Sequence, residues 1–165
     1  MVTVLSELFH VSATERSLDW QPTLRRKTWD HPAREEIETA LEAQRPESAP
    51  SRRTSYFAFG SVAECVAYAE SEEIGPEPHF YRVKLIQPVR APMTLEHVPD
   101  DLVPYRDAIY RHYWKADDGW KVYEYFAERM VVVSKYADVL PDCGPVRFKL
   151  MEDRKRLKQL APTWK

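Results

Sequence analysis

With 165 residues, 44% of them apolar and 12% aromatic, the chain can bury a substantial core as one globular domain, which excludes a disordered protein. Its 24 basic and 26 acidic residues leave a formal charge of −2, so nothing general draws it to nucleic acid or to an anionic membrane. Cys65 and Cys143 stand far apart in no metal-ligand spacing, Met1 to Leu8 has no basic leader, and no apolar run nears the ~20 residues that span a bilayer; the expectation is a cytoplasmic protein in a reducing compartment.

Val2 to Val11 alternates loosely and reads as the first strand. From Arg16 to Pro32 no period is clean; Pro22 and Pro32 restrict the backbone, and Trp20 and Trp29 are its expected anchors. Ala33 to Gln44 follows as a helix, with Ile37, Ala40 and Leu41 as its apolar stripe and glutamates on its outer face. Arg45 to Arg53, with Pro46 and Pro50, has the composition of a mobile surface loop. Thr54 to Ser61 is then an aromatic strand ending in Gly60-Ser61. Ser61 and Glu64 form a capping box for a helix that buries Val62, Cys65, Val66 and Ala69.

Gly75-Pro76-Glu77-Pro78 breaks the chain, and His79 to Pro88 alternates well enough for a central strand. Asp100-Asp101 caps a helix over about Leu102 to Trp114, which Ala116 to Gly119 ends; Tyr110, His112, Tyr113, Trp114 and Trp120 form an aromatic zone read as its packing, with recognition of a base or target as the alternative. Trp120 to Ala127 fits a helix through Trp120, Tyr123 and Ala127, or a strand through Val122, Glu124 and Phe126. Met130 to Val133 is a strand, Val146 to Leu150 a candidate last strand, and Met151 to Leu160 a charged closing helix. Strands and helices in this order, with short strands and irregular links, predict an α+β domain over 1–165, its core at 1–145 and a charged extension at 146–165.

Four glycines can hardly build a phosphate-binding glycine loop, no pair of histidines sits at metal-binding spacing, and no serine lies in a nucleophile elbow. A zinc enzyme, a nucleoside triphosphatase and a serine hydrolase of that type are all disfavoured. What the chain does offer is three polar or aromatic groups borne on apolar strands: His10, Tyr56, and a glutamate ahead of Val131, either Glu128 or Glu124.

Leu8-Phe9-His10-Val11-Ser12 resembles the "L-Y-H-G-T" strand of the ADP-ribosyltransferase superfamily. Tyr56-Phe57-Ala58-Phe59-Gly60-Ser61 with the helix after it resembles that superfamily's second element. Glu128 ahead of Met130 to Val133 resembles the third, and the order matches its H-Y-E branch. The resemblance spans roughly residues 5 to 140. It implies split antiparallel sheets flanked by helices, NAD as substrate, and no metal. It further implies NAD contacts from His10, Ser12 and Tyr56, with Glu128, or Glu124, as the catalytic carboxylate; beside the motif, Arg52 and Arg53 are candidates for NAD phosphates or an acidic target, and Thr54 and Ser55 for supporting hydrogen bonds. Glu128 is preferred because apolar strand residues follow it, although Tyr125-Phe126-Ala127 after Glu124 fits a variant of the pattern. An acidic residue two positions before that glutamate, common in arginine-modifying members, is absent: Phe126 and Val122 stand there.

The implied chemistry suits those residue types. Cleavage of the nicotinamide–ribose bond passes through an oxocarbenium-like state that a preorganised carboxylate stabilises, while an aromatic face holds the nicotinamide. The expected activity is transfer of ADP-ribose from NAD to a macromolecular acceptor, protein or nucleic acid, with release of nicotinamide. The alternatives are a catalytically inactive member of the fold that serves as an interaction module, and an NAD hydrolase without a dedicated acceptor.

Overall fold

The computed structural model describes residues 2–164. Among the described residues there are seven strands and four α-helices, in the order β1 (Val4–Ser12), β2 (Asp19–Trp20), α1 (Pro32–Ala43), β3 (Tyr56–Phe59), α2 (Val62–Ser71), β4 (His79–Ile86), β5 (Val89–Pro92), α3 (Arg106–Lys115), β6 (Tyr123–Ala127), β7 (Arg129–Lys135) and α4 (Gly144–Leu160). All pairings are antiparallel, in the order β2-β7-β4-β1-β3-β6-β5, so the domain is α+β.

The sheet is well laddered in two halves and barely joined between them. β1 pairs with β4 from Val4↔Ile86 to Ser12↔His79, and β3 pairs with β6 from Tyr56↔Ala127 to Phe59↔Glu124. β1 and β3 meet at one register pair, Phe9↔Phe59. The expectation of two separate packed sheets is therefore corrected to one seven-stranded sheet with a narrow waist.

Strand alternation sends side chains to two faces. Leu8, Tyr56, Ala58, Tyr81, Val83, Leu85, Met130 and Val132 form one cluster, against which Leu24 of the irregular segment 13–31 packs. Phe126, Phe59 and their neighbours point the other way, into cores filled by the four helices. Tyr110, Tyr113, Trp114 and Trp120 are buried there, the packing role that the sequence assigns them.

Several local expectations differ from what the chain does. Val146 to Leu150 is the first half of α4, not a strand: Val146, Asp153 and Leu157 are buried at helical spacing, whereas Phe148 is exposed. The Asp153 carboxylate accepts hydrogen bonds from the backbone of Lys121 (2.8 Å) and Val122 (3.0 Å), binding residues 146–164 into the domain rather than leaving an extension. Tyr123 to Ala127 is a strand. Pro104 confines Asp100–Tyr105 to a 3-10 helix, and α3 begins only at Arg106. Trp20, an expected anchor, is exposed on the edge strand β2.

Candidate functional site

The waist between β1 and β3 is bridged by a side chain. His10 Nδ1 donates to the carbonyl of Phe57 (2.7 Å), a group that a closed ladder would have paired with β1. Its Nε2 accepts from Arg16 Nε (3.0 Å), which fixes the neutral tautomer with the proton on Nδ1. Burial, with Arg16 and Lys27 near, lowers the His10 pKa to about 4 against the opposing effect of the Phe57 bond. Tyr56 stands edge-on to His10, ring centroids 6.1 Å apart, and its hydroxyl donates to the carbonyl of Pro22. The Arg16 guanidinium lies over the Tyr56 ring, 5.1 Å from its centre.

Segment 13–31 thus crosses the waist as a strap. Arg16 N bonds the Tyr81 hydroxyl (2.8 Å), Lys27 N bonds the Arg53 carbonyl (2.8 Å), and Lys27 Nζ reaches the carbonyl of Ser55 (2.8 Å). Burial and the nearby Arg52 charge lower the Lys27 pKa to about 8. Sequence reasoning missed Arg16 and Lys27 as site residues. Their stretch has no period, and the only signal was cations interleaved with prolines and tryptophans.

Of the expected NAD contacts, His10 and Tyr56 come together and the others do different work. Ser12 Oγ accepts from Thr14 N (3.3 Å) in its own turn, and buried Ser55 Oγ donates to Ser51 O (2.7 Å). Arg53, expected on a mobile solvated loop, is buried; it donates to Lys27 O (3.0 Å), Glu35 (3.0 Å) and Thr39 Oγ1 (3.1 Å), and so fastens the strap to α1. Arg45 to Arg53 is tied down as well, Glu42 accepting from Ser51 Oγ and Arg52 N.

The two candidate glutamates separate. Glu128 is exposed at the bend between β6 and β7, one residue beyond Ala127, the register partner of Tyr56, and accepts from Thr54 Oγ1 (3.3 Å). Glu124 is fully buried on the helix-side face, away from His10 and Tyr56. It accepts from Arg52 (2.6 Å) and from the Tyr113 hydroxyl.

Arg52 is the hub of that buried cluster, bidentate to Glu38 (both 2.9 Å) and 3.2 Å from Glu96. Glu38 belongs to the α1 face expected in solvent, yet is fully buried. Burial, with Glu96 close by, raises the Glu124 pKa to about 8; Arg52 and Arg34 hold Glu96 well below the usual range despite its burial. The cluster is an internal ion network on the helix-side face of the sheet, where Arg52 shares the Phe57 ring with Lys27 of the strap.

Among the described residues, one group of three side chains has donor atoms close enough for a metal ion: Glu72, Glu96 and His97. Arg34 touches Glu96 and lies 3.6 Å from Glu72, so a guanidinium already supplies the cation between those carboxylates. No helix among the described residues is long and apolar enough to cross a membrane. No protein-family model and no curated protein matches the chain.

Proposed function

We propose that the protein is an NAD-dependent ADP-ribosyltransferase of the H-Y-E type, with the sheet waist as its nicotinamide pocket. The observation that carries the reading is the break between β1 and β3, where His10 and Tyr56 meet and Glu128 follows the register partner of Tyr56. The resemblance implies these residues in this order on an antiparallel sheet, and here they sit at the narrowing of one sheet rather than between two. His10 Nε2, once Arg16 withdraws, accepts from a ribose hydroxyl while Nδ1 stays on the Phe57 carbonyl, and Tyr56 has the aromatic face for the nicotinamide. The Glu128 carboxylate, free of buried partners, orients the 2′-hydroxyl and stabilises positive charge as the glycosidic bond breaks. Nicotinamide leaves with the bonding electrons, and the acceptor's nucleophile takes its place on the ribose carbon while giving up its proton. Lys27 supplies a cation beside the waist for the pyrophosphate.

One observation favours the second reading, a catalytically inactive interaction module. Both ring nitrogens of His10 and the hydroxyl of Tyr56 are already bonded, and both side chains are buried. The enzyme reading therefore requires Arg16 and Pro22 to move when NAD binds. The two readings diverge in one experiment, incubation with labelled NAD and cell lysate followed by separate protease and nuclease digestion of the labelled product. Release of nicotinamide with label on a macromolecule is expected. Glu128→Gln abolishes it at unchanged thermal stability, and Glu124→Gln retains it. No nicotinamide release from the wild-type protein, and no shift in melting temperature with excess NAD, leaves the interaction module as the better reading.

A further inference from the structure

A second concave site lies away from the waist, on the helical side of the molecule. It is a cleft of about 500 Å³ between α2 and α4, closed at its base by the turn Met93–Glu96. That volume falls in the range of small-molecule sites. Arg147, Leu150, Met151 and Arg154 occur at helical spacing, so one stripe of α4 forms a whole wall. Met93, Leu150, Met151 and Ala67 make the lining mainly apolar, and Met151 is exposed although nothing in the fold obliges a large apolar side chain to stand there.

The two ends of that wall differ in charge. At one end Arg147 is neutralised by direct contact with Glu70. At the other, Arg154 has no hydrogen-bond or ion-pair partner among the described residues. The ends are seven residues apart, about 10 Å along the helix. His97, half-exposed on the floor, adds no negative charge; its Nε2 is 4.0 Å from the nearest carboxylate oxygen, that of Glu72. An apolar trough with one bare cation at one end, and a neutralised pair at the other, is complementary to a molecule with a single anionic head and an apolar body of that length.

We propose that this cleft binds a small amphipathic carboxylate, a medium-chain acyl or aryl acid. Its body lies along Met93, Leu150 and Met151, and its carboxylate pairs with Arg154. A neutral molecule of the same shape fills the trough but forfeits the charge-assisted hydrogen bonds. A dianion pays for a second desolvated charge with no second free cation to meet it.

The site is independent of the waist, so its test does not depend on NAD. Titration of the full chain by calorimetry or by amide chemical shifts uses octanoate and octan-1-ol as paired probes. Saturable octanoate binding is expected, about fivefold tighter than octanol, the contribution of an exposed ion pair. Arg154→Ala brings octanoate down to the level of octanol, and Met151→Glu weakens both; each residue is exposed, so neither change threatens the fold. Absence of saturable binding, equal affinity for both probes, or an Arg154→Ala variant that still prefers the acid overturns the proposal.

Discussion

His10 carries the sharpest consequence of the waist, because its neutrality is built into the fold. Its pKa falls from an ordinary 6.5 to about 4 chiefly through burial, and the Arg16 Nε–H on Nε2 leaves no room for a second ring proton. The unfolded chain takes up a proton near 6.5 that the native state refuses until about 4. Stability contributed this way is present above 6.5 and lost as pH falls toward 4, by about 3 kcal/mol over the window. Buried Glu124 has the opposite sign: with its pKa raised to about 8, its contribution is present below 4.5 and lost as pH rises through 8. The two overlap, so the informative quantity is a difference between variants. Urea denaturation across the acid range should give His10→Gln a flatter slope than the wild type, since glutamine keeps a donor and an acceptor but does not titrate. Parallel slopes mean that His10 does not set the acid limb.

At the scale of elements, legibility followed the reach of the interactions. The β3–α2 unit was readable because its devices are local: Ser61 Oγ accepts from Glu64 N (3.2 Å), and Glu64 in turn accepts from Gly60 N (3.3 Å). The Arg52 cluster was not, because Arg52 meets carboxylates 14 and 72 residues away, from within a stretch whose serines and prolines have the composition of a solvated loop. His10 and Tyr56 were legible as candidates, whereas the Arg16 and Pro22 contacts that close over them come from a segment with no period. Met151 to Leu160 of α4 is legible as a helix, but its start at 146–150 reads as a strand because Val146, Phe148 and Leu150 alternate by chance, and the true stripe runs through an acidic residue. Asp153 is buried because Lys121 and Val122 offer backbone N–H groups that no strand pairs. Asp153→Asn keeps the shape but has a single acceptor oxygen for two donors. The expected loss is about 1–3 kcal/mol, read as a lower urea midpoint at unchanged slope. An unchanged midpoint removes α4 from the list of elements that hold β6 in place.

The molecule as a whole behaves as two laddered half-sheets, one pair of residues wide at their junction, with segment 13–31 strapped across one face. β2 and Gln21 anchor the strap's middle to β7, and over the waist it is held by Arg16 to His10, Tyr81 and the Tyr56 ring, Pro22 to Tyr56, Leu24 in the core, Lys27 to Ser55 and Arg53, and Arg53 to α1. Arg25 and Arg26 in the middle of the strap are exposed, which makes tryptic cleavage there a direct measure of opening. If the waist takes NAD only in the open state, the apparent affinity is reduced by the open fraction, and weakening the closed state raises both cleavage and binding together. Arg16→Ala keeps the backbone N–H on Tyr81 and the fold around it, and removes only the guanidinium contacts. Loss of a desolvated cation–π contact and a hydrogen bond shifts the opening equilibrium about tenfold. Cleavage at Arg25 and Arg26 should quicken by that factor, and NAD binding should tighten by up to as much. Faster cleavage without tighter binding keeps the strap but denies the waist to NAD. Unchanged cleavage shows that Arg16 does not hold the strap, whatever the waist binds.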